Sequence, residues 1–444
     1  MTCVSTVVTL IQEGKTLKAI TTLLLTFVLV TGAAAQHEQH DMSQHGDHSQ
    51  HEMKMETAKP TTGGIFESGT AWVPASTPHY MWMTQKGGWN LMAHGNLIVG
   101  YNQQGGPRGV GKAESTNWLM LMEEHALGKG TIQFRQMLSA EPLTSPHPGY
   151  PTLFQTGETY KGKPLVDYQH PHDLFSELAV RFTYPLSERF SWLLYGGLAG
   201  EPALGPVGFP HRLSAMDNPA AVLGHHLQDS THITYGLVTT GFIYGPVKLE
   251  ASAFNGREPD EVRYNFDLKG FDSWSTRLSV APGKNWVMQY SYGHLVKPEA
   301  LEEGNAERQT ASVTYNKPIN RGNWANTLVW GRNRKDHHGT DAITNSYLYE
   351  SSLNFLDKNY VYGRTELVDK DELHLDPPLD HGSFRIGAYT IGGVRDIVQN
   401  KYGQIGLGAD VTFYSKPAVL DSVYGKNPVS FHVFLRFRPG KMKH

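Results

Sequence analysis

The segment VSFHVFLRFR, residues 429–438, shows the pattern from which the fold can be predicted. Successive side chains of a β-strand point to opposite faces. The odd-numbered residues of this stretch are all apolar and share one face, whereas the even-numbered ones are mostly polar or basic. The pattern predicts an amphipathic strand with one apolar and one polar surface.

The same alternation recurs along most of the chain. Segments of about ten to fourteen residues alternate in polarity and are separated by turn residues, and such lengths suit a tilted strand that crosses a bilayer. Sixteen strands are predicted, at residues 88–101, 115–128, 129–140, 174–185, 189–200, 231–244, 246–257, 270–282, 284–296, 306–317, 322–335, 343–356, 359–371, 383–396, 401–414 and 428–438. A period of two also fits a soluble β-sandwich, so the period alone leaves both architectures open.

The connections between the predicted strands separate the two architectures. Short turns, such as residues 187–188, alternate with long connections, such as residues 141–173 and 201–230. Short turns on one side, long loops on the other and an even strand count are typical of outer-membrane barrels, in which closure pairs every backbone group. We therefore predict an all-β, transmembrane antiparallel β-barrel of about 16 strands with a disordered N-terminal tail. A soluble exported β-protein is the alternative.

The N-terminal residues are typical of an export signal. A basic flank at Lys15 and Lys18 precedes the apolar run AITTLLLTFVLV at 19–30 and the small residues GAAA at 32–35. The run is too short for a membrane-spanning helix. The predicted domains are a signal peptide at 1–35, a His/Met-rich periplasmic tail and linker at 36–86, and the barrel at 87–444. The single cysteine, Cys3, lies in the signal, so no disulfide is expected in the mature chain.

Composition and motifs narrow the function. Charged residues make up 18% of the chain and the net charge is −3, so no basic surface for nucleic acid is expected. A nucleophile elbow, a zinc-protease helix and a phosphate-binding loop are not evident, and we predict that the protein is not an enzyme. The charged segment REPDE, residues 257–261, is interpreted as a solvated turn.

The tail begins with HEQHDMSQHGDHSQHEMKM, residues 37–55. Imidazole suits copper, zinc and nickel, and thioether favours Cu(I). No cofactor is required, but copper or another soft metal ion is an expected ligand. The predicted metal-binding residues of the tail are His37, His40, Met42, His45, His48, His51, Met53 and Met55. The alternative is a solubilising leader that binds metal only incidentally.

Further histidines fall in the longest predicted loops. The segment YQHPHD contains His170, His172 and Asp173, and a second loop contains His225 and His226. These five residues are predicted as a candidate metal site formed by loops, with up to four ring nitrogens. Alternatively, the histidines are solvated or hydrogen-bonded within a constriction loop.

The predicted inward faces of the strands carry charges of both signs, which fit either a water-filled pore or a plugged interior. The predicted pore-lining residues are Glu177, Arg181, Lys248, Glu250, Arg277, Arg308 and Arg436.

An exported His/Met-rich tail ahead of an outer-membrane barrel resembles the copper-resistance protein B family. The resemblance rests on the tail HEQHDMSQHGDHSQHEM and on the architecture. It implies periplasmic copper binding and passage or sequestration at the outer membrane. We therefore predict an outer-membrane channel with a periplasmic metal-binding tail.

The alternatives are a general or solute-selective porin without a metal role, a soluble exported β-protein and an outer-membrane enzyme. The expected location is the bacterial outer membrane, with the tail in the periplasm. The expected partners are outer-membrane lipids, metal ions or small solutes, and further copies of the chain in a homo-oligomer.

Overall fold

The computed structural model describes residues 68–301, 304–337, 340–380 and 382–442. The signal peptide and the eight predicted tail ligands therefore lie outside the described residues. One antiparallel sheet of 17 strands forms the body of the protein, and 16 of them form a closed ring. The strands of this sheet are β1 (Met81–Lys86), β2 (Trp89–Gln103), β3 (Gly111–Leu127), β4 (Gly130–Leu138), β9 (Phe175–Pro185), β10 (Phe190–Gly200), β11 (Thr234–Tyr244), β12 (Val247–Phe254), β13 (Ser273–Gly283), β14 (Trp286–Leu295), β15 (Ala306–Ile319), β16 (Gly322–His337), β17 (Thr340–Phe355), β18 (Asn359–Lys370), β19 (Phe384–Gln399), β20 (Gln404–Ser415) and β21 (Val429–Arg438).

Each strand of the ring pairs with its neighbour in sequence, and the ring closes where β2 meets β21. The register of this closure runs from Leu97 opposite Phe437 to Gln103 opposite Phe431. The predicted fold class is confirmed, and all sixteen predicted strands are present with ends that differ by four residues or fewer. One connection differs from expectation, because β16 extends to His337 and pairs there with Thr340 of β17, so the strands are longer than predicted and the connection between them is shorter.

The strand β1 was not predicted and completes the wall of the barrel. It pairs with the first part of β2, from Lys86 opposite Trp89 to Met81 opposite His94. The last part of β2 pairs with β21. The two ends of the folded chain therefore fill one strand position end to end, with a bridge between Tyr80 and Lys441.

The boundary predicted for the tail and linker, 36–86, is corrected by this arrangement, because residues 68–86 belong to the folded body. Ser68 donates a hydrogen bond to Glu201, and the Lys248 ammonium donates one to the backbone oxygen of Thr70, both inside the barrel. The strand β1 was not predicted because six residues are too few to show a clear alternation of polarity.

The outer surface of the barrel is apolar. In β21 the odd-numbered residues are exposed or half-buried and the even-numbered ones are buried, as the sequence predicted. The strand β12 has the same pattern, and Leu249 on its outer face is 54% exposed. Exposed tryptophans lie near the ends of several strands, at Trp82, Trp274, Trp286 and Trp324. Among the described helices, none has the length and apolar character needed to cross a membrane.

Short turns lie at one end of the barrel, here called the turn end, and most long loops lie at the other, the loop end. The connections 139–174 and 201–233 contain short elements and many buried residues. These elements are the strands β5 (Tyr150–Pro151), β6 (Glu158–Tyr160), β7 (Lys163–Leu165) and β8 (Tyr168–Gln169) and the helices α1 (Glu141–Thr144) and α2 (His225–Gln228). A third helix, α3 (Asp421–Tyr424), lies in the connection after β20.

Polar contacts show that these two connections fill the lumen. They reach inward-facing residues of strands all round the wall: Asn102 of β2 donates to the Pro151 carbonyl, and Arg277 of β13 donates to the Gly205 carbonyl. Arg364 of β18 donates to the Ala220 carbonyl. We refer to residues 139–174 and 201–233 together as the plug.

The predicted pore-lining residues all belong to the inward-facing set, but six of the seven are buried beneath the plug rather than exposed to a water-filled pore. Arg181 is half-buried, and the six buried residues are Glu177, Lys248, Glu250, Arg277, Arg308 and Arg436. Their charges are balanced by polar partners, for example Glu250 for Arg277 at 3.2 Å and Asp217 of the plug for Arg436.

The strongest link between the plug and the wall is centred on Glu350. Its carboxylate accepts hydrogen bonds from Arg212 Nε of the plug and from Arg364 Nε of β18, each at 2.9 Å. Arg212 also donates to Asp229 at 2.8 Å. All these side chains are buried. The loss of one partner from such a network costs about 3–5 kcal/mol, because it leaves a buried charge unpaired.

We predict that Glu350→Gln loosens the plug. Two guanidinium groups would then face a neutral amide, which destabilises the docked loop 201–233 by about 3–5 kcal/mol. Hydrogen exchange measured by mass spectrometry should show faster exchange in residues 201–233. The matched control is Asp357→Asn, which removes an exposed pair with Arg321 at the turn end and should change stability by less than about 1 kcal/mol. Equal exchange of the plug in both variants would contradict the proposed anchor.

Candidate metal centre

A cavity of about 590 Å³ opens at the loop end of the barrel. Its wall combines the connection 139–174 with the connections after β12, β14 and β18. Six carboxylates and one lysine supply the charged groups of this lining: Glu158, Glu258, Glu299, Asp371, Glu372, Asp380 and Lys335. We call this cavity the acidic vestibule. Lys335 bridges Glu299 at 2.8 Å and Glu372 at 2.5 Å. The excess of carboxylates attracts cations and repels anions.

Two histidines and one carboxylate converge beside the vestibule. One ligand atom each from Glu158, His170 and His226 lie within 4.8 Å of one another. Glu158 belongs to β6, His170 follows β8, and His226 belongs to α2. His170 Nε2 lies 2.8 Å from Glu158 Oε1. A set of two imidazoles and one carboxylate is a known donor set for zinc, and it leaves a fourth position open for water or a substrate.

The hydrogen bonds of the two histidines orient the same nitrogen of each ring toward the site. His170 Nδ1 lies 3.0 Å from the Pro171 carbonyl oxygen, and His226 Nδ1 lies 3.1 Å from Glu258 Oε1. Glu258 favours the His226 tautomer with the proton on Nδ1, which leaves the His226 Nε2 lone pair for a metal. His170 Nε2 donates its proton to Glu158 Oε1, so a metal that binds His170 would displace that proton. His226 Nε2 is buried and has no hydrogen-bond partner among the described residues. The site therefore offers one preformed imidazole ligand that nothing in its surroundings satisfies.

Charges around the site tune its protonation. Burial acts to lower the pKa of His226, but Glu258 outweighs burial and holds this pKa above its ordinary value. Burial lowers the pKa of His170, although Glu158 opposes the shift. Burial acts to raise the pKa of Glu158, but His170 and then Arg263 lower it below its usual range. Glu158 is thus an anion at neutral pH and suits a cation.

The other three predicted loop residues, His172, Asp173 and His225, contact side chains outside the candidate metal centre. His172 Nδ1 lies 2.9 Å from Glu141 Oε2, and Asp173 lies 3.6 Å from Arg263. His225 Nδ1 lies 2.7 Å from Asp229 Oδ1. The His-Pro-His segment therefore sends its two rings to different carboxylates, and the expected site of four ring nitrogens is replaced by a site of two imidazoles and one carboxylate.

A row of imidazoles continues from the candidate metal centre toward the interior. The rings of His225 and His226 have centroids 5.2 Å apart, and the rings of His225 and His232 have centroids 5.0 Å apart. His232 Nε2 lies 3.3 Å from His172 Nε2. Burial lowers the pKa of His225 to about 4, so this ring is neutral at pH 7. The neutral His225 ring therefore adds no positive charge beside His226 that would repel a cation bound there.

Sequence reasoning missed the two carboxylates that complete the site. Glu158 lies in a segment without a motif, twelve residues before His170 in the sequence. Glu258 belongs to the REPDE segment that was interpreted as a solvated turn. In the structure Glu258 holds His226, and Glu261 accepts hydrogen bonds from the backbone N–H groups of Lys161 and Gly162. The carboxylates of REPDE were evident in the sequence, but the residues that they contact were not.

Comparisons with known proteins show no family. No family model matches the chain, and no curated protein matches it, so the resemblance to the copper-resistance protein B family gains no support. The chain is similar to an anion-selective porin from Comamonas acidovorans, with 11% identity, a TM-score of 0.47, and coverage of 79% of this chain and 99% of that chain.

Two other solved structures give the same result. A Salmonella typhi OmpF complex with daunomycin has 11% identity, a TM-score of 0.48, and coverage of 80% of this chain and 100% of that chain. The outer membrane channel DcaP of Acinetobacter baumannii has 9% identity, a TM-score of 0.44, and coverage of 80% of this chain and 99% of that chain. Because the TM-scores are below 0.5, these similarities carry no argument about what the present chain transports or binds.

Proposed function

We propose that the protein is an outer-membrane β-barrel that admits or captures small metal cations at its loop end. The observation that carries the proposal is the acidic vestibule, whose carboxylates lead to the set of Glu158, His170 and His226. Carboxylates concentrate cations near the mouth, and the two imidazoles favour a transition-metal ion over Ca²⁺ or Mg²⁺, which prefer oxygen ligands.

The wall of the barrel supports a location in a bilayer. A closed sheet leaves no edge in the lipid, and its exposed outer faces are apolar, as shown by Leu249 and Phe431. Outer-membrane barrels carry short turns on the periplasmic side and long loops on the outer side. In that orientation the acidic vestibule faces the exterior of the cell, and β1 lies nearer to the periplasm.

The plug argues against a wide, unselective pore. A ring of sixteen strands leaves an aqueous channel unless other residues fill it, and here the wall charges are buried against the plug. A solute-selective porin without a metal role shares this wall and this plug, and it is the second candidate. The two candidates differ in one property, which is specific binding of a metal ion at His170 and His226.

Ion selectivity tests the vestibule. In planar bilayers under a salt gradient, we expect any conducting state to prefer cations, because carboxylates outnumber lysine in the lining. The double variant Asp371→Asn/Asp380→Asn should move the reversal potential toward zero. The control Asp421→Asn removes a charge from α3, which does not line the cavity, and should leave the reversal potential unchanged. Anion preference in the wild-type protein would contradict the proposed role of the vestibule.

Metal binding tests the candidate centre. We expect the purified protein to bind Zn²⁺ at this site in competition with a chromogenic chelator, and His226→Ala to remove that site. Glu258→Gln should weaken binding by roughly 10–100-fold, because it loosens the orientation of His226 without removing a ligand. His374→Ala is the matched control, since His374 lines the same cavity but lies outside the converging set. Equal Zn²⁺ affinity in the His226→Ala and His374→Ala variants would favour the porin without a metal role.

The tail also carries a proposed metal function. Its eight predicted ligands, from His37 to Met55, are imidazoles and thioethers that suit copper in either oxidation state. We expect a protein that lacks residues 36–58 to bind fewer copper ions than the full-length protein, as measured by equilibrium dialysis. The truncated protein should keep its Zn²⁺ site at His170 and His226. An unchanged copper stoichiometry would rule out the tail as a binding segment.

A further inference from the structure

Methionines are concentrated in one sector of the barrel. Five of them form a hydrophobic cluster whose buried apolar members are all methionines: Met81, Met92, Met120, Met122 and Met137. Met442 packs against this cluster, and Met216 of the plug lines an adjoining cavity. Met288, by contrast, is 41% exposed on the outer face of β14. Other interior clusters mix aliphatic and aromatic residues, as in the group around Ile98 and Phe434.

The sheet register arranges these methionines in rows. Met81 is opposite His94, His94 is opposite Met120, and Met120 is opposite Met137, so one row crosses β1, β2, β3 and β4. Side chains directly opposite each other on one face have Cβ atoms about 4.5–5.5 Å apart. Long, unbranched methionine side chains at that spacing can bring their sulfur atoms together.

A second row lies two residues nearer the turn end. Met83 is opposite Met92, Met92 is opposite Met122, and Met122 is opposite Arg135. Met83 shares a strand face with Met81 and is 39% exposed. The second row therefore contains both a solvent-exposed thioether, at Met83, and a fully buried one, at Met122. Met120 of the first row is also fully buried.

The plug adds an imidazole to the first row. His211 Nε2 lies 3.3 Å from Met137 Sδ, and the ring centroids of His211 and His94 are 5.8 Å apart. His94, His211 and Met216 line a cavity of about 30 Å³, which is large enough for a water molecule or a single ion. Trp118 lines the same cavity, and its ring centroid lies 4.6 Å from that of His211.

The charges nearest the cluster are already balanced. Arg135 donates to Met122 Sδ at 3.7 Å, and its Nε lies 2.7 Å from Glu177 Oε1. Arg438 donates to Met216 Sδ at 3.8 Å and lies 3.3 Å from Asp217. Besides the hydroxyl groups of Thr77 and Tyr80, the side-chain donors that line the cavity are the imidazoles of His94 and His211 and the thioether of Met216. Thioether ligands select Cu(I), whereas hard divalent cations prefer oxygen.

We propose that the thioethers of Met120 and Met137, together with the imidazoles of His94 and His211, form a binding site for a soft monovalent metal ion, Cu(I) or Ag(I), on the inner wall of the barrel. This site is separate from the candidate metal centre of the vestibule. It is built from β2, β3, β4 and the plug, it contains no residue of the vestibule, and it takes a different class of ion.

Ag(I), which is stable in air and has the same preference for thioethers, tests the proposal in the full-length protein. With methionine methyl groups labelled with ¹³C, Ag(I) should shift the resonances of Met120 and Met137 and leave that of Met288 unchanged. The variants Met120→Leu and Met137→Leu assign these resonances and cost less than about 1.5 kcal/mol each, because leucine has a similar volume. Shifts confined to tail methionines such as Met42 and Met53 would overturn the proposal.

A competition experiment supplies the second measurement. Under anaerobic conditions, with a Cu(I)-specific chelator as competitor, Met120→Leu/Met137→Leu should bind one Cu(I) ion fewer than the wild type. Met288→Leu is the matched control and should keep the full number. His226→Ala should also keep it, so failure of the vestibule site and failure of this site give different results. Equal Cu(I) stoichiometry in the double variant and the Met288→Leu control would overturn the proposal.

Discussion

The barrel can close only if every backbone hydrogen bond along both edges of β2 is made. This strand pairs with β3 along its whole length, and its other edge is shared between β1 and β21. Unpaired backbone groups in lipid cost several kcal/mol each, so neither part of that edge can stay open. Because β21 pairs only with the loop-end half of β2, β1 must pair with the turn-end half. Just before β1, within the described residues, Thr70 lies inside the barrel and contacts Lys248 and Arg277.

The charges of the inner wall explain why the lumen is filled. Wall arginines that face a narrow interior need partners, since a buried charge without one is strongly unfavourable. Backbone carbonyls of the plug provide many of these partners, and one of them positions the candidate metal centre. Arg308 Nη2 donates to the His226 carbonyl oxygen at 2.6 Å, and Asn333 donates to the same oxygen at 3.1 Å. A residue predicted to line a pore thus holds a predicted metal ligand in place.

The strands of the wall could be predicted from sequence because each one shows its alternation of polarity within its own ten to fourteen residues. A period of two and alternating loop lengths identified all sixteen ring strands, whereas β1 was missed because its six residues complete an edge that only the closed barrel defines. In the plug, the sequence pointed to His170 and His226 but grouped them with His172 and His225. The carboxylate that each histidine contacts determines whether it belongs to the site. His172 contacts Glu141, His225 contacts Asp229, and His226 contacts Glu258.

The two proposed metal sites differ in the hardness of their ligands, and this difference limits how they can act together. The vestibule offers imidazole and carboxylate, which suit Zn²⁺ or Cu²⁺, and the inner wall offers thioether and imidazole, which suit Cu(I). A Cu²⁺ ion that entered at His226 would fit the site at Met137 only after gaining an electron. Neither donor set supplies that electron, because carboxylate, imidazole and thioether ligands bind the ion without reducing it. The two sites therefore handle one copper ion in succession only where a separate reductant acts between them; without one, they select different ions.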